Sequence, residues 1–295
     1  MKAAIGIDIG GTNIKGVLID ESGRILEKAR AKTHSLSTDF WQENIRKVYS
    51  ELKKKSHSNP TIGISAPGLA NEKNTAIDFL PGRLPGLEGF DWSKFLGSPT
   101  YVLNDAHAAL MAESKFGVAK GIKNFLLITL GTGVGGAIMI DGKLYQGLAQ
   151  RAGHIGHSTI QSNQTQQSIL GMPGSLEYAI GNYSVEERSH GKYKNTYALL
   201  EARKTDDYFA QWLWLDMIRN LSLSICSLIN AFSPEAIVLA GGLTKAEDDL
   251  FHPLNQFIDT YEFRPNGKKT KIMKAKFRDY SGAIGAAAFT LNQMK

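Results

Sequence analysis

The chain has 295 residues, of which 42% are apolar and 21% charged, with a formal net charge of +6. Those proportions exclude a disordered or collagen-like polymer, no apolar run reaches membrane-spanning length, and the length accommodates two domains, each with its own core. The lysine excess gathers at Lys53-Lys54-Lys55 and between Lys268 and Lys276, which reads as solvated surface, since no nucleic-acid motif accompanies it.

From the amino end, Ala3–Asp20 predicts a β-hairpin: an apolar run from Ile7, a turn of Gly10, Gly11 and Thr12, and a second apolar run ending at Asp20. A turn stripped of Cβ atoms lets backbone N–H groups converge on an anion, and threonine hydroxyls add donors. The alternative is an ordinary glycine-rich hairpin. The run up to Asp8 is too short for a signal peptide, so the expected location is the cytoplasm. Arg24–Lys32 extends the hairpin as a third strand. Asp39–Lys54 carries Phe40, Ile45, Val48, Tyr49 and Leu52 at helical spacing, with Ser37, Thr38 or Asp39 as cap.

Thr61–Ser65 is a short strand delivered into Ala66-Pro67-Gly68. That is where open α/β sheets bind ligands, at the carboxyl end of a strand, although Pro-Gly is also a common turn. Asn71–Gly89 is irregular. Thr100–Leu103 is a strand running into Asn104-Asp105 and then into a helix over Ala106–Phe116. Asp105 is therefore either a helix N-cap or a carboxylate directed into a binding cleft.

The stretch Phe125–Gly142 repeats the first hairpin, with a turn of Gly131, Thr132 and Gly133. Gly10 matches Gly131 and Asp20 matches Asp141, both at an offset of 121 (131 − 10 and 141 − 20). A repeat that long fits two related α/β lobes rather than a solenoid. Two anion-binding hairpins on two lobes imply a nucleotide in the cleft between them.

His154 and His157 then stand three apart in a glycine-containing loop. They could be metal ligands, sugar-binding groups or neither, and a pair without further ligands is seldom a metal site. Gly171–Glu177 opens a helix with Glu177 in its first turn, where the helix dipole favours a carboxylate. Asn182–Tyr197 reads as polar and exposed. Asp206–Phe232 is a long amphipathic helix whose Phe209, Trp212, Leu213, Leu215, Ile218, Leu221, Ile225, Leu228 and Ile229 read as core, and the single cysteine, Cys226, packs there as a small hydrophobe. Glu235–Ala240 is a strand leading to Gly241-Gly242, where a flat group could approach the backbone or the chain merely turns. Ser281–Leu291 is a small-residue helix suited to close packing, expected to return to the first lobe.

Together these stretches resemble the ROK family of sugar kinases and repressors, within the actin/hexokinase-like ATPase superfamily. The matching segments are Asp8–Asn13, Ala66–Gly68, Leu103–Asp105, Leu130–Ile138, Gly153–His157, Leu239–Leu243 and Ser281–Ala287, in family order over nearly the whole chain. The resemblance implies an α/β fold of two related actin-like (ribonuclease H-like) lobes with a nucleotide/sugar cleft between them. Residues 1–117 plus 281–295 would form the small lobe and 118–280 the large one. It also implies that Asp8, Gly10, Gly11, Thr12 and Asn13, with Gly131, Thr132 and Gly133, hold the phosphates of ATP, Asp8 steering Mg²⁺ through water. Gly241 and Gly242 would border the adenosine. Gly68, Asn104, Asp105, His157 and Glu177 would bind the sugar, with Asp105 as base.

Two departures stand out. His154 occupies a position that is Glu in most members, and the Ala152–His157 form is more similar to N-acetylmannosamine kinases than to glucokinases, which makes His154 a further candidate sugar contact. Ser168, Leu170 and Ser175 occupy three positions that are cysteines in many members and bind a structural zinc with the histidine matching His157, so no structural zinc is expected. The expected activity is ATP- and Mg²⁺-dependent phosphorylation of a glucose-like hexose at its primary hydroxyl. The alternatives are an N-acetylmannosamine or other N-acetylhexosamine acceptor, or a catalytically silent sugar-binding protein. A repressor would need a helix-turn-helix, and the stretch before Asp8 is too short for one. The expected partners are a sugar, ATP and a second copy in a homodimer, with neither nucleic acid nor membrane.

Overall fold

Small residues at the sheet–helix contacts decide how this chain packs. The computed structural model describes residues 2–33, 38–56, 59–82 and 84–293, without the side chains of residues 38–40. The helix cap expected at Ser37, Thr38 or Asp39 lies outside what is described. The chain folds as two units, one of Met1–Ile122, Lys143–Ala152 and Ala275–Lys295, the other of Lys123–Gly142 and Gly153–Lys274. Among the described residues no helix is long and apolar enough to cross a membrane.

In the first unit, β1 (Ala3–Ile9), β2 (Asn13–Asp20), β3 (Ile25–Lys32), β4 (Thr61–Ala66) and β5 (Thr100–Asn104) form a sheet of order β3-β2-β1-β4-β5. The hairpin pairs β1–β2 and β2–β3 are antiparallel, while β1–β4 and β4–β5 are parallel. Strand periodicity sorts β1 between two cores. Ile5, Ile7 and Ile9 pack with Trp41, Ile45, Val48 and Leu52 of α1 (Thr38–Lys55). Ala4 packs on the other side with Ala283, Ile284 and Ala287 of the carboxy-terminal helix Ser281–Gln293.

That second interface is close because it lacks side chains. A Cβ on Gly6 would overlap the Ala283 carbonyl, one on Gly63 the Ala286 carbonyl, and one on Gly285 the carbonyl of Ala108 in α2 (Asp105–Phe116). The terminal helix therefore lies directly on β1, β4 and α2, which brings its first turn to the carboxyl ends of the strands.

In the second unit, β6 (Phe125–Leu130), β7 (Val134–Ile140), β8 (Ala236–Ala240) and β9 (Lys271–Lys274) run in the order β7-β6-β8-β9. The repeat seen in the sequence holds up to the turns and slips by one residue within them. Ile9 pairs with Ile14 across the first turn, whereas Leu130 pairs with Val134 across the second. The first turn thus spans one residue more, and the match of Asp20 with Asp141 is a sequence coincidence. Asp20 ends β2 and its Oδ1 accepts from Ser22 N (2.9 Å) and Arg24 N (3.0 Å). Asp141 and Gly142, with φ of 49° and 72°, instead form the tight turn that leaves β7.

Two readings of burial are corrected. On α4 (Tyr208–Phe232), Leu213, Trp214, Met217, Ile218, Leu221, Ile225 and Ile229 are buried, but Trp212 is 60% and Leu215 42% exposed. With 3.6 residues per turn, Tyr208, Trp212 and Leu215 share a stripe opposite the buried one, so an apolar count over-assigned the core. The segment Asn182–Tyr197 is not simply exposed: Ser184, Val185, Ser189 and Tyr193 are buried. Its polarity is absorbed internally, with Ser184 Oγ donating to Tyr178 O (2.5 Å) and Ser189 Oγ accepting from Tyr193 N (2.9 Å).

The Gly285 contact is testable. Gly285→Ala must push the terminal helix away from α2, and overpacking of this kind typically costs about 1–3 kcal/mol. Urea unfolding should show that loss, and an unchanged midpoint would mean that the two helix backbones do not approach so closely.

Candidate active site

The first turn has its carbonyls drawn inward. Gly10 N donates to Asn13 O (3.0 Å), Thr33 Oγ1 to Gly10 O (2.6 Å) and Thr33 N to Thr12 O (3.0 Å). Thr33 is fully buried just beyond β3, so two carbonyls of the turn are tied back to it. Gly11 and Thr12 are exposed.

Asp8, at the end of β1, pairs in register with Ser65 at the end of β4, and Ser65 Oγ donates to Asp8 Oδ1 at 2.7 Å. A Cβ on Gly282, in the first turn of the terminal helix, would overlap Asp8 Oδ1 and lie 2.7 Å from Ser65 Oγ. Burial pushes the Asp8 carboxyl up to about 6; the Ser65 hydrogen bond opposes this, repulsion from Asp105 adds to it and attraction to Lys15 opposes it.

Asn104 ends β5 and caps α2, its Oδ1 accepting from Ala106 N at 2.9 Å, while its Nδ2 donates to Gly68 O at 2.9 Å. The N-cap considered for Asp105 therefore belongs to Asn104, whose ψ of 149° is non-helical. Asp105 is the first helical residue and is exposed. Gly68 has φ of 96°, and a Cβ there would come 2.5 Å from Phe79 O. Asp8, Ser65, Gly68, Asn104 and Asp105 thus cluster at the carboxyl ends of three neighbouring strands.

In the second unit the turn closes with Gly131 N donating to Gly133 O (3.0 Å). Its other carbonyls are held from behind: Asn182 N donates to Gly131 O (3.1 Å) and Tyr183 N to Thr132 O (3.0 Å). Glu177, in α3 (Leu176–Ile180), is buried, with Oε1 accepting from Val134 N (3.1 Å) and Oε2 from Ile169 N (3.0 Å). A Cβ on Gly133 would overlap Glu177 Oε1, so that glycine is required by the carboxylate beside it. The histidine loop lies on the same strand, since a Cβ on Gly156 would overlap the Val134 carbonyl and one on Gly136 would sit 2.6 Å from Gly153 O.

The His154 and His157 rings are parallel within 4°, with centroids 6.2 Å apart. Burial first, and the nearby His157 second, lower the pKa of His154 below its usual value, so it is neutral at pH 7. Gly241, with φ of 94°, turns where a Cβ would overlap the Leu130 carbonyl, and Gly242 faces open space.

Across residues 4–293 the sequence matches the model of the ROK family. The chain belongs to the ROK family. It is 30% identical to a glucokinase of Halalkalibacterium halodurans, over 95% of this chain and 92% of that one. It is 28% identical to an N-acetyl-D-glucosamine kinase of Haemophilus influenzae, over 98% and 99% of the two chains. A ROK family glucokinase from Streptomyces griseus, solved in complex with glucose and AMPPNP, superposes with a TM-score of 0.78 over 97% of this chain and 98% of that one at 23% identity, which shows a shared fold.

Of Ser168, Leu170 and Ser175, the two serines form hydrogen bonds within the loop. Ser168 Oγ accepts from Met172 N (3.0 Å) and Ser175 Oγ caps α3 through Tyr178 N (3.1 Å), while Leu170 is 48% exposed. Among the described residues no group of three or more His, Cys, Asp or Glu could hold a metal ion. Sequence reasoning missed Ser65 and Thr33. Each is a lone hydroxyl residue at the end of a strand beside a glycine-containing turn, and that position was the available signal.

Asp8 leaves a thermodynamic mark. Its folded pKa of about 6 lies above the ordinary 3.8, so its contribution to stability is present below pH 3.8 and is lost as pH rises through 6. Asp8→Asn removes that charge, and the variant should be more stable than wild type at pH 8 by on the order of 3 kcal/mol. The gain should vanish near pH 4 in urea unfolding; a gain independent of pH would remove charge burial as its cause.

Proposed function

We propose that the chain is an ATP-dependent sugar kinase that transfers a phosphoryl group to the primary hydroxyl of a hexose or N-acetylhexosamine, with Asp105 as the base. The observation that carries this reading is the first-unit cluster: an exposed carboxylate opening α2, at the same end of the sheet as a turn whose carbonyls are tied back. The glucokinase and N-acetyl-D-glucosamine kinase names of the relatives support the reaction class, as do the glucose and AMPPNP of the Streptomyces griseus complex.

Phosphoryl transfer demands alignment and charge neutralisation more than covalent chemistry. In this reading the residues Gly10 to Asn13 and Gly131 to Gly133 hold phosphate oxygens, and Gly241 and Gly242 leave backbone open beside the adenosine. The Asp8 carboxylate, held on one oxygen by Ser65 and repelled by Asp105, suits a hydrated divalent cation. Mg²⁺ commonly keeps several waters and takes one or two carboxylates plus substrate phosphates, so the donor set fits. The bound ion would neutralise the phosphate oxygens, and Asp8 would hold it through water.

Asp105 accepts the hydroxyl proton. Gly68, Asn104, His154, His157 and Glu177 line the sugar in this reading. Asn104 Nδ2 already donates to Gly68 O, and both Glu177 oxygens already accept amides. Each meets sugar only with its remaining hydrogen or lone pairs.

A coupled ATP-consumption assay over hexoses and N-acetylhexosamines tests the function. Asp105→Ala should lose about 10²–10⁴-fold in turnover while keeping its fold and nucleotide affinity. Near wild-type turnover would sink the base assignment, and sugar affinity without turnover in the wild type would mark a silent binder.

His154 bears on which sugar is preferred. Being neutral, its ring offers one donor and one acceptor, whereas an ionised Glu only accepts. His154→Glu should move the ratio of kcat/KM values toward glucose and away from N-acetylmannosamine by about tenfold, corresponding to ~1.4 kcal/mol. An unchanged ratio would mean that the sugar is chosen elsewhere.

A further inference from the structure

Behind the second turn lies a cation that the proposed reaction does not otherwise use. Arg188 is half-buried; its Nε donates to Ser184 Oγ (3.1 Å) and its Nη2 to Gly181 O (3.3 Å). Its Nη1 is buried and has no hydrogen-bond partner among the described residues. Burial pushes the guanidinium down to about 10, against the pull of Tyr178, Asp216, Tyr183 and Glu187, so it remains charged at neutral pH. An incompletely matched buried charge is costly to keep.

The carbonyl that Arg188 holds is one end of the Gly181–Asn182 peptide. The other end, Asn182 N–H, donates to Gly131 O (3.1 Å). Gly131 O in turn belongs to the peptide whose N–H is that of Thr132. One step further, Tyr183 N–H holds Thr132 O (3.0 Å), whose peptide carries the Gly133 N–H. In a trans peptide the C=O and N–H point in opposite directions. Pinning the two carbonyls from the Asn182–Tyr183 side therefore aims the Thr132 and Gly133 amides away from it. Neither amide takes part in the turn's own hydrogen bonds among the described residues. Hydrogen bonds in such a chain polarise one another in the same sense, so a cation at the rear strengthens donation at the front.

We propose that Arg188 is a positioning residue for nucleotide phosphate, acting through the Gly181–Asn182 peptide on the amides of the Gly131–Gly133 turn. The anion addressed is the phosphate chain of the nucleotide, so this rests on the kinase reading.

The test compares Arg188→Ala and Arg188→Lys with wild type by calorimetry, using ADP and, separately, the preferred sugar alone. Arg188→Ala should bind ADP at least about tenfold more weakly (~1.4 kcal/mol) and the sugar as wild type does, and millimolar guanidinium ion should restore part of the ADP affinity. Arg188→Lys, which keeps the charge but not the forked contact, should fall between. Unchanged ADP affinity overturns the proposal, and so does an equal loss for sugar and ADP that guanidinium does not relieve. If the alanine variant does not fold, the lysine variant decides on the same ADP-to-sugar comparison. Hydrogen exchange of the Asn182 and Tyr183 amides needs no nucleotide. It should quicken in the variant ahead of the α4 core, and uniform or unchanged exchange counts against Arg188. Wild-type protein that binds no adenine nucleotide would instead refute the kinase reading, leaving the exchange result to judge the peptide relay.

Discussion

Two glycine-rich turns have their carbonyls drawn inward, and each is satisfied by donors from its own unit. A peptide cannot turn its amide outward without turning its carbonyl inward, and a buried carbonyl without a donor is destabilising. The first unit solves this locally. Thr33, at the far end of the same three-stranded meander, uses its hydroxyl on Gly10 O and its amide on Thr12 O. The second unit solves it at long range, with Asn182 and Tyr183 brought in behind Gly131 and Thr132. The second turn is one residue shorter between its paired strands, and it draws its support from a segment some fifty residues further along the chain (182 − 131 = 51). The two hairpins look like copies in sequence, yet their amides are aimed by unrelated residues.

A second constraint is the seating of the terminal helix. Its Gly and Ala residues allow backbone-to-backbone contact with Gly6, Gly63 and Ala108, and this contact delivers Gly282 to Asp8 and Ser65. Asp8 ends up desolvated beside another carboxylate, with one serine hydroxyl as direct donor. Electrostatic strain of that kind gathers at functional sites. The core built by Ile5, Ile7 and Ile9 on the opposite face supplies the compensating apolar burial.

Much of this was legible in the sequence. The α/β class, the two hairpins, the strand before Ala66-Pro67-Gly68 and the helix opening at Asp105 follow from apolar periodicity punctuated by glycine. Side-chain direction was less legible. Trp212 and Leu215 count as apolar, but only helix geometry says that they face outward, and Tyr193 reads as a polar-loop residue until its contacts with Ser189 and Asp207 are seen. The offset of 121 residues was misleading beyond the turns, because a one-residue difference in turn length is invisible to an alignment of glycines and aspartates. Ser65 and Thr33 were marked only by their place at a strand end, since their partners Asp8 and Gly10 are distant in sequence, and Arg188 was hidden because it acts on a backbone carbonyl, which no residue type announces.

The same accounting applies to the residues proposed to meet the sugar. Asn104 caps α2 and holds Gly68, and Glu177 joins the start of β7 to the loop at Ile169. Removing either side chain would leave backbone donors or an acceptor unpaired, at a cost of about 1–3 kcal/mol each where they are buried. A substitution there disturbs the geometry of a turn before it alters any contact with a sugar. His154 is different. Its ring lies parallel to that of His157, in the loop that Gly153 and Gly156 seat against β7. In the proposed reading a change there acts on sugar preference through the donor and acceptor of the ring itself, whereas one at Asn104 or Glu177 acts first through the turn bonds those side chains make.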